Sequence, residues 1–364
     1  MRITLLGAGH IGQTIARLLS ASGDYRVTVV DRSADALAKL ARNGIATLPV
    51  ETSDAAALRG ALRGQDAVIN ALPYHLATLA ATQAREAGCH YFDLTEDVAA
   101  TREIKRLAEG SSSAFMPQCG LAPGFIGIVA HHLAQSFDTL HDVKMRVGAL
   151  PAFPTNSLKY NLTWSVDGLI NEYIHPCEAI RDGQNIDVLP LEGLEHFSLD
   201  GTEYEAFNTS GGLGTLCETL AGRVRTLDYK SVRYPGHRDL MKMLLEELQL
   251  KADPETLKDI MRRSIPSTMQ DVVLVFVTVS GLRDGALVQE VFARKIFADR
   301  SETNPLSAIQ ITTAAGICAA VDLFREGRLP QSGFIRQEQV ALPEFLANRF
   351  GSAYQQSRQV ESIG

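Results

Sequence analysis

Short runs of aliphatic and β-branched residues punctuate the first third of the chain, and between them apolar positions recur at helical spacing. The runs predict strands over Arg2–Gly7, Arg26–Asp31, Ile45–Val50, Asp66–Ala71, Cys89–Asp93 and Ala114–Gln118. Helices are expected from near His10, Ser33, Ser53, His75 and Glu96. Ser33 and Ser53 read as N-caps, because a hydroxyl there accepts from the free amides of a first turn. Strands alternating with helices predict an α/β fold with a doubly wound parallel sheet and ligands at the strands' carboxyl ends.

Beyond Gly124 the alternation stops. Longer strands, several of alternating polarity, are expected at His141–Leu150, Glu195–Leu199, Tyr204–Thr209, Asp271–Ser280 and Ala286–Phe297. The last two read as an antiparallel hairpin across a short Leu-Arg-Asp break. With helices near Asp167–Tyr173, His237–Gln249 and Asp253–Arg263, they predict a mixed-sheet α+β domain. Asn304-Pro305 then opens an apolar-faced helix to Phe324, with Ala314, Ile317, Cys318 and Val321 at helical spacing. Such a late helix can return to cover the first domain.

The first strand runs into Gly7-Ala8-Gly9-His10-Ile11-Gly12, and Asp31 closes the second. Gly7 permits a tight turn, Gly9 lets the backbone approach a pyrophosphate, and Gly12 lets helix and strand pack closely. The helix from His10 points its partly positive end at the phosphates. Asp31 stands where a carboxylate accepts from both ribose hydroxyls. The first domain is therefore read as a Rossmann domain over 1–124, completed by about 304–330. The α+β domain covers 125–303, and a tail covers 331–364. Asp31 favours NAD, because its charge repels a 2′-phosphate; Arg32 beside it is the group that would accept NADP.

Composition narrows the partners. The 364 residues are 45% hydrophobic and 21% charged, with a net charge of −7. No long basic run suggests nucleic acid as a partner, and no stretch reads as long enough to span a bilayer. Five scattered cysteines without a CxxC pair fit reduced thiols in a cytoplasm. His131-His132 lacks a third ligand at metal spacing, so no metal is expected.

Three segments follow the strands of the expected cofactor edge. Asn70-Ala71-Leu72-Pro73 follows the fourth strand, where a loop passes beneath the riboses. Asp93 ends the fifth, as a buried carboxylate orienting a substrate amine or as a helix N-cap; Glu96 and Asp97 follow it. Cys119 follows the sixth as a lining residue of the nicotinamide pocket. In the second domain, Lys159 and Tyr160 lie in a polar segment beside the only tryptophan. Thr209-Ser210-Gly211-Gly212 is a glycine turn whose amides suit a carboxylate, or an ordinary loop. Arg233 can grip a carboxylate bidentately, and His237 is a proton-transfer candidate or a capping residue.

GAGHIG…DRS, CGLAPG at 119–124, KYNLTWSVDGLINEY at 159–173, TSGGLGTL at 209–216 and RYPGH at 233–237 together resemble the saccharopine dehydrogenase-like family, over nearly the whole chain. Within that family the resemblance is greatest to L-lysine 6-dehydrogenases. It implies a Rossmann domain, an α+β domain that binds substrate and self-associates as a dimer or tetramer, and a returning helix. The activity implied is NAD-dependent oxidation of L-lysine at its ε-amine, giving a semialdehyde that cyclises to 1-piperideine-6-carboxylate. Fungal-type saccharopine reductases carry an aspartate in a GLDPG motif where this chain has Ala122, which disfavours saccharopine. The competing expectations are reductive C–N bond formation, as by saccharopine or carboxynorspermidine dehydrogenases, and a non-catalytic NAD(H)-binding protein. In the favoured reaction a base must deprotonate the ε-ammonium before hydride leaves, and Asp93, Glu96 and His237 are the candidates.

Overall fold

A computed structural model describes residues 1–299 and 305–355. The chain divides into two compact units, one of residues 1–128 with 312–353, the other of 129–311 with the chain end from 354.

The first unit alternates β1 (Arg2–Leu6), α1 (His10–Ala21), β2 (Arg26–Asp31), α2 (Ala34–Ala41), β3 (Ala46–Pro49), α3 (Ala55–Leu62), β4 (Ala67–Asn70), α4 (Ala77–Ala87), β5 (His90–Asp93), α5 (Val98–Ala108) and β6 (Ala114–Met116). All pairings are parallel, in the order β6-β5-β4-β1-β2-β3. Strand order reverses between β1 and β4, which opens a crevice at their carboxyl ends. Ile3, Leu5, Val29, Val30, Val68 and Ile69 are fully buried, as strands covered on both faces require. Ser33 caps α2, its hydroxyl accepting from the Ala36 amide at 3.3 Å.

Two expected caps move. Asp54, rather than Ser53, caps α3, accepting from the Ala56 and Ala57 amides at 2.8 and 3.2 Å, while the Ser53 hydroxyl donates to Glu51. An ionised acceptor outcompetes a hydroxyl at a helix's positive end. Likewise Asp97, rather than Asp93, caps α5, which therefore starts at Val98. A single turn of 3-10 helix at Tyr74–Leu76 delays α4 to Ala77. α6 (Phe125–Ala134) follows.

The second unit contains β7 (Thr139–Pro151), α7 (Val166–Ile174), β8 (Cys177–Arg181), β9 (Gln184–Val188), β10 (Glu195–Leu199), β11 (Thr202–Asn208), α8 (Leu216–Thr219), β12 (Val224–Arg233), α9 (His237–Lys242), α10 (Pro254–Ser264), β13 (Asp271–Arg283) and β14 (Ala286–Phe297). Its mixed sheet runs β10-β11-β12-β7-β13-β14, with only the β12–β7 pair parallel along that path. The expected hairpin is unbroken. β13 continues to Arg283, and Asp284-Gly285 turn with both φ positive, at 51° and 76°.

β12 was not foreseen, because its charges obscure the alternation. The structure buries two of those charges, Lys230 and Arg233, and pairs a third, Asp228. Lys230 donates to Glu195 at 2.8 Å, and Arg146 on β7 reaches both Glu195 and Asp228, the latter at 2.6 Å. β8 and β9, short and polar, were also missed.

α11 (Ala308–Arg325) carries the chain back. The Asp271 carboxylate holds its first turn, accepting from Ala308 N at 2.5 Å and Ile309 N at 3.0 Å. The expected start, Asn304, lies outside the described residues. By length and composition α11 could cross a bilayer, contrary to the expectation that no stretch could; 83% of it is buried inside the protein, as in a core helix. β15 (Gly333–Phe334) extends the first sheet beside β6, and α12 (Leu342–Ala347) follows. Buried Asp322 ties this return segment to the first unit: it accepts from Tyr25 Oη at 2.5 Å, Asn348 Nδ2 at 2.9 Å and Arg349 Nη2 at 2.7 Å.

Candidate cofactor and substrate sites

In the first unit Gly7, Gly9, His10, Ile11 and Gly12 form the turn from β1 into α1. A Cβ on Gly7 would lie 2.7 Å from the Ala71 carbonyl oxygen, and one on Gly12 would lie 2.1 Å from that of Gly7. Both positions are closed to any side chain. A Cβ on Gly9 would meet nothing within 4 Å. Gly9 is also the N-cap of α1, with no side chain over the helix's first amides. An uncapped helix start beneath an open glycine fits a pyrophosphate.

Asp31, at the end of β2, accepts from Ala8 N at 2.7 Å and Ser33 N at 2.8 Å. Those two amides fix the carboxylate beside the glycine turn with lone pairs to spare. Arg32 is exposed next to it. Glu51, at the end of β3, lies in the field of both and is held below the usual carboxylate range, chiefly by the Ser53 hydroxyl and amide. Asn70 closes the loop after β4, its Oδ1 accepting from Leu72 N at 3.1 Å. Ala71 and Leu72 are half-buried and Pro73 is exposed. This set meets at the ends of β1, β2 and β4. Cys119 differs: its thiol is 1% exposed, donates to Met116 O at 3.1 Å and accepts from Gln337 Nε2 at 3.2 Å. The thiol supports the turn after β6 instead of lining an open pocket.

The acids after β5 form a coupled group. Asp93 is fully buried, taking Thr95 N at 3.0 Å and Gln118 N at 2.8 Å on one oxygen and Tyr91 Oη at 2.9 Å on the other. Burial pushes its pKa up to about 6 against those hydrogen bonds. Half-buried Glu96 is pushed further, to about 7, by burial and by the charges of Asp97 and Asp93. A carboxyl that titrates near neutrality suits proton transfer.

In the second unit Lys159, Tyr160, Arg233 and His237 come together. Arg233 is 3% exposed, its guanidinium carbon 5.3 Å from the Tyr160 ring centroid and 5.9 Å from that of Tyr173. Its Nε donates to Tyr173 Oη at 3.0 Å and its Nη1 to Val232 O at 2.8 Å. His237 is fully buried, with Nδ1 2.9 Å from Leu158 O and Nε2 3.1 Å from Tyr173 Oη. A carbonyl only accepts, so Nδ1 carries the proton and Nε2 accepts from the phenol. Burial and the neighbouring Arg233 push the imidazole's pKa down to about 3. His237 is therefore a neutral strut, which leaves Asp93 and Glu96 of the three candidate bases. Lys159 is exposed and donates to Pro235 O at 2.8 Å.

Thr209, Ser210 and Gly211 adjoin this cluster through its neighbours. Thr209 Oγ1 lies 2.8 Å from Ser231 Oγ, and Ser210 N donates to Glu172 O at 3.0 Å. A Cβ on Gly212 would lie 2.2 Å from the Tyr229 ring, so the turn is packed flat on that side chain. Two of its amides, those of Ser210 and Gly214, already bond within the protein.

Sequence reasoning missed two supports. Tyr173 links Arg233 to His237. Glu205, 2% exposed on β11, accepts from Gly236 N at 2.8 Å and Arg238 N at 2.7 Å and so anchors the start of α9. A lone acid within a strand expected to be half-buried was the available signal for Glu205.

The family model described as the saccharopine dehydrogenase NADP binding domain matches residues 3–114, and the saccharopine dehydrogenase C-terminal domain model matches 120–351. The chain belongs to the saccharopine dehydrogenase family. The first match contains the whole glycine cradle with Asp31; the second contains the Arg233 cluster. This family member is 25% identical over 270 residues to the NADP(+), L-glutamate-forming saccharopine dehydrogenase of Saccharomyces cerevisiae, covering 69% of this chain and 59% of that protein. It is 23% identical over 200 residues to the mitochondrial alpha-aminoadipic semialdehyde synthase of Mus musculus, covering 51% of this chain and 21% of that one. It thus spans less than two thirds of the relatives it matches. The apo histidine-tagged saccharopine dehydrogenase (L-Glu forming) of S. cerevisiae shares its fold, with a TM-score of 0.78 at 17% identity over 96% of this chain and 98% of that one.

Proposed function

We propose that this chain is a nicotinamide-dependent amino-acid dehydrogenase that oxidises a carbon bearing nitrogen, with the ε-amine of L-lysine as its target. Arg233 carries the reading. Its hydrogen bonds and ring contacts are to two ring faces, a phenol oxygen and a carbonyl, and the buried Glu172 lies in its field without a hydrogen bond to it among those described. A guanidinium buried at that cost suits bidentate capture of a carboxylate from outside. One such grip matches the single carboxylate of lysine.

The roles divide as follows. Arg233 binds the α-carboxylate, and Tyr173, fixed by His237, sets the angle of the guanidinium. Glu96 accepts the proton of the ε-ammonium, and Asp93 adds negative charge beside it. Gly7, Gly9, Gly12 and Asp31 hold the dinucleotide, with Asn70, Ala71 and Leu72 beneath it. When bound, the nicotinamide supplies a hydride acceptor. Hydrolysis of the resulting imine releases ammonia, and the semialdehyde closes on its own α-amine. NAD is the proposed cofactor, because Asp31 and Glu51 put negative charge where a 2′-phosphate would lie. The family description names NADP, and Arg32 is the residue through which it would bind; titration with both dinucleotides decides.

A second reading, cleavage or formation of the secondary amine saccharopine, is supported by both family matches and by Lys159 as a further cation at the same cluster. Ala122 and the presence of one buried guanidinium, Arg233, in that cluster weigh against it. Purified protein incubated with NAD or NADP and L-lysine, saccharopine or carboxynorspermidine separates the readings by absorbance at the reduced-nicotinamide band. Turnover of saccharopine alone would replace the lysine reading. Dinucleotide binding without any turnover would leave a non-catalytic NAD(H)-binding protein.

A further inference from the structure

Tyr91 and Asp93 stand two residues apart on β5, so the alternation of the strand puts both side chains on one face. Both are fully buried, and Asn70 at the end of β4 lies in register with Asp93. The Tyr91 phenol oxygen accepts from Asn70 Nδ2 at 3.1 Å. As a donor it has two acceptors in reach, Asp93 Oδ2 at 2.9 Å and the Ala77 carbonyl at 3.2 Å. A phenol carries one proton and can serve one of them at a time. Asp93 decides which. Its Oδ1 already takes the Thr95 and Gln118 amides, so a proton binding to this carboxyl goes to Oδ2, the oxygen that faces the phenol.

We propose that Tyr91 is a positioning residue that governs the charge of Asp93, its phenol donating to the ionised carboxylate and turning to the Ala77 carbonyl when Oδ2 takes a proton. In the ionised state the phenol O–H bonds Oδ2. In the protonated state Oδ2–H donates to the phenol oxygen, and the phenol O–H rotates about its C–O bond to Ala77 O. The phenol oxygen keeps the Asn70 amide in both. A buried carboxyl that titrates ordinarily strands a donor or an acceptor, at a cost that opposes the change. Here each state pairs every member of the set. The ring itself is held by Phe115, stacked on it with centroids 5.9 Å apart and planes 28° from parallel.

The consequence for chemistry rests on the reading of Glu96 as the base. Among the described residues, the titratable groups that face the pair are Glu96, with Asp97 beside it ahead of α5, and the Cys119 thiol after β6. α4, α5 and β6 otherwise meet it with apolar side chains of the same core, such as Ala80, Ala81, Ile104 and Phe115. Burial keeps the Cys119 thiol neutral. Asp93 is therefore the charge beside Glu96 that the phenol controls, and while ionised it adds to burial in raising Glu96. Hydrogen bonds to an ionised acceptor are roughly twice as strong as neutral ones, so removing the phenol weakens the ionised state more than the protonated one.

The test uses the full chain labelled with carbon-13 at aspartate. Infrared spectra taken with and without Asp93→Asn isolate the Asp93 carboxyl band and titrate it without any turnover. Tyr91→Phe should raise the midpoint of that titration by about one pH unit. An unchanged or lowered midpoint would overturn the proposal. Should Tyr91→Phe fail to fold, the chain grown on ring-fluorinated tyrosine decides: its phenols are stronger donors, so the Asp93 midpoint should fall, and one that stays or rises overturns the proposal equally. The pH profile of kcat/KM with L-lysine separates this role from the reading it rests on. Tyr91→Phe should move the limb to lower pH, because Asp93 is then neutral beside Glu96. A raised Asp93 midpoint with an unmoved limb upholds the role of Tyr91 and removes Glu96 as the base.

Discussion

Tyr173 donates its phenol proton to Nε2 of His237 across 3.1 Å, and that direction is forced because the other ring nitrogen must donate to Leu158 O. The same phenol oxygen accepts from Nε of Arg233 at 3.0 Å. The chain of donors runs from guanidinium to phenol to imidazole to backbone. Tyr173→Phe breaks it at the centre and leaves Arg233 short of one acceptor. Loss of a hydrogen bond to a charged group costs about 1.5–3 kcal/mol. If Arg233 grips the substrate carboxylate, KM for the amino acid should rise roughly 10- to 100-fold with kcat little changed. Initial-rate kinetics on the variant measure this, and a kcat loss at constant KM would assign the phenol a different task.

The two glycines of the cradle separate folding from binding. Gly9→Ala adds a methyl into open space, so its melting temperature should match the wild type while dinucleotide affinity falls at least tenfold. Gly12→Ala drives a methyl into the Gly7 carbonyl, where a Cβ would stand 2.1 Å away, and should lower the melting temperature outright. Calorimetric titration beside thermal melts reads both.

Glu96 ties pH dependence to chemistry and to stability at once. As the base it works deprotonated, so kcat/KM should climb with pH and level off above a limb near 7. Glu96→Gln should abolish the limb and cost 10²–10⁴ in rate, the usual range for a positioned base. Stability should move the other way. The folded carboxyl keeps its proton between 4.5 and about 7 while the unfolded one has lost it, so the native state loses stability as pH rises through that window. Glu96→Gln removes the loss and should be more stable than wild type by about 3 kcal/mol at pH 8 and equal to it at pH 4. Denaturant melts at the two pH values measure the difference.

Asp322 shows the opposite sign. Arg349, Tyr25 and Asn348 hold its pKa at about 2, below the ordinary 3.8. Its contribution is complete above pH 4 and disappears as pH falls through about 2. Asp322→Asn should cost about 2–3 kcal/mol at pH 7, a penalty that shrinks on acidification, as chemical denaturation across that range would reveal.

What the sequence revealed follows the range of the forces involved. The nucleotide turn was legible because Gly7, Gly9, Gly12 and Asp31 are set by local backbone geometry within one strand-helix-strand stretch. The protonation of His237 was not, because its burial against Tyr173 depends on α7, more than sixty residues earlier in the chain, although Arg233 stands only four residues before it. β12 itself was hidden, since the ion network that buries Lys230 is invisible until β7 and β10 are placed beside it. Asp54 and Asp97 displaced the expected caps by one residue or a few, where neighbouring polar side chains compete for the same amides.

Oxidation at the ε-carbon of lysine fixes the stoichiometry of the products. Purified protein with NAD and L-lysine should form NADH and free ammonia in equal amounts, with Arg233→Met raising KM and Glu96→Gln suppressing both products together. Absence of NADH from lysine, or NADH formed from saccharopine without ammonia, would contradict the account.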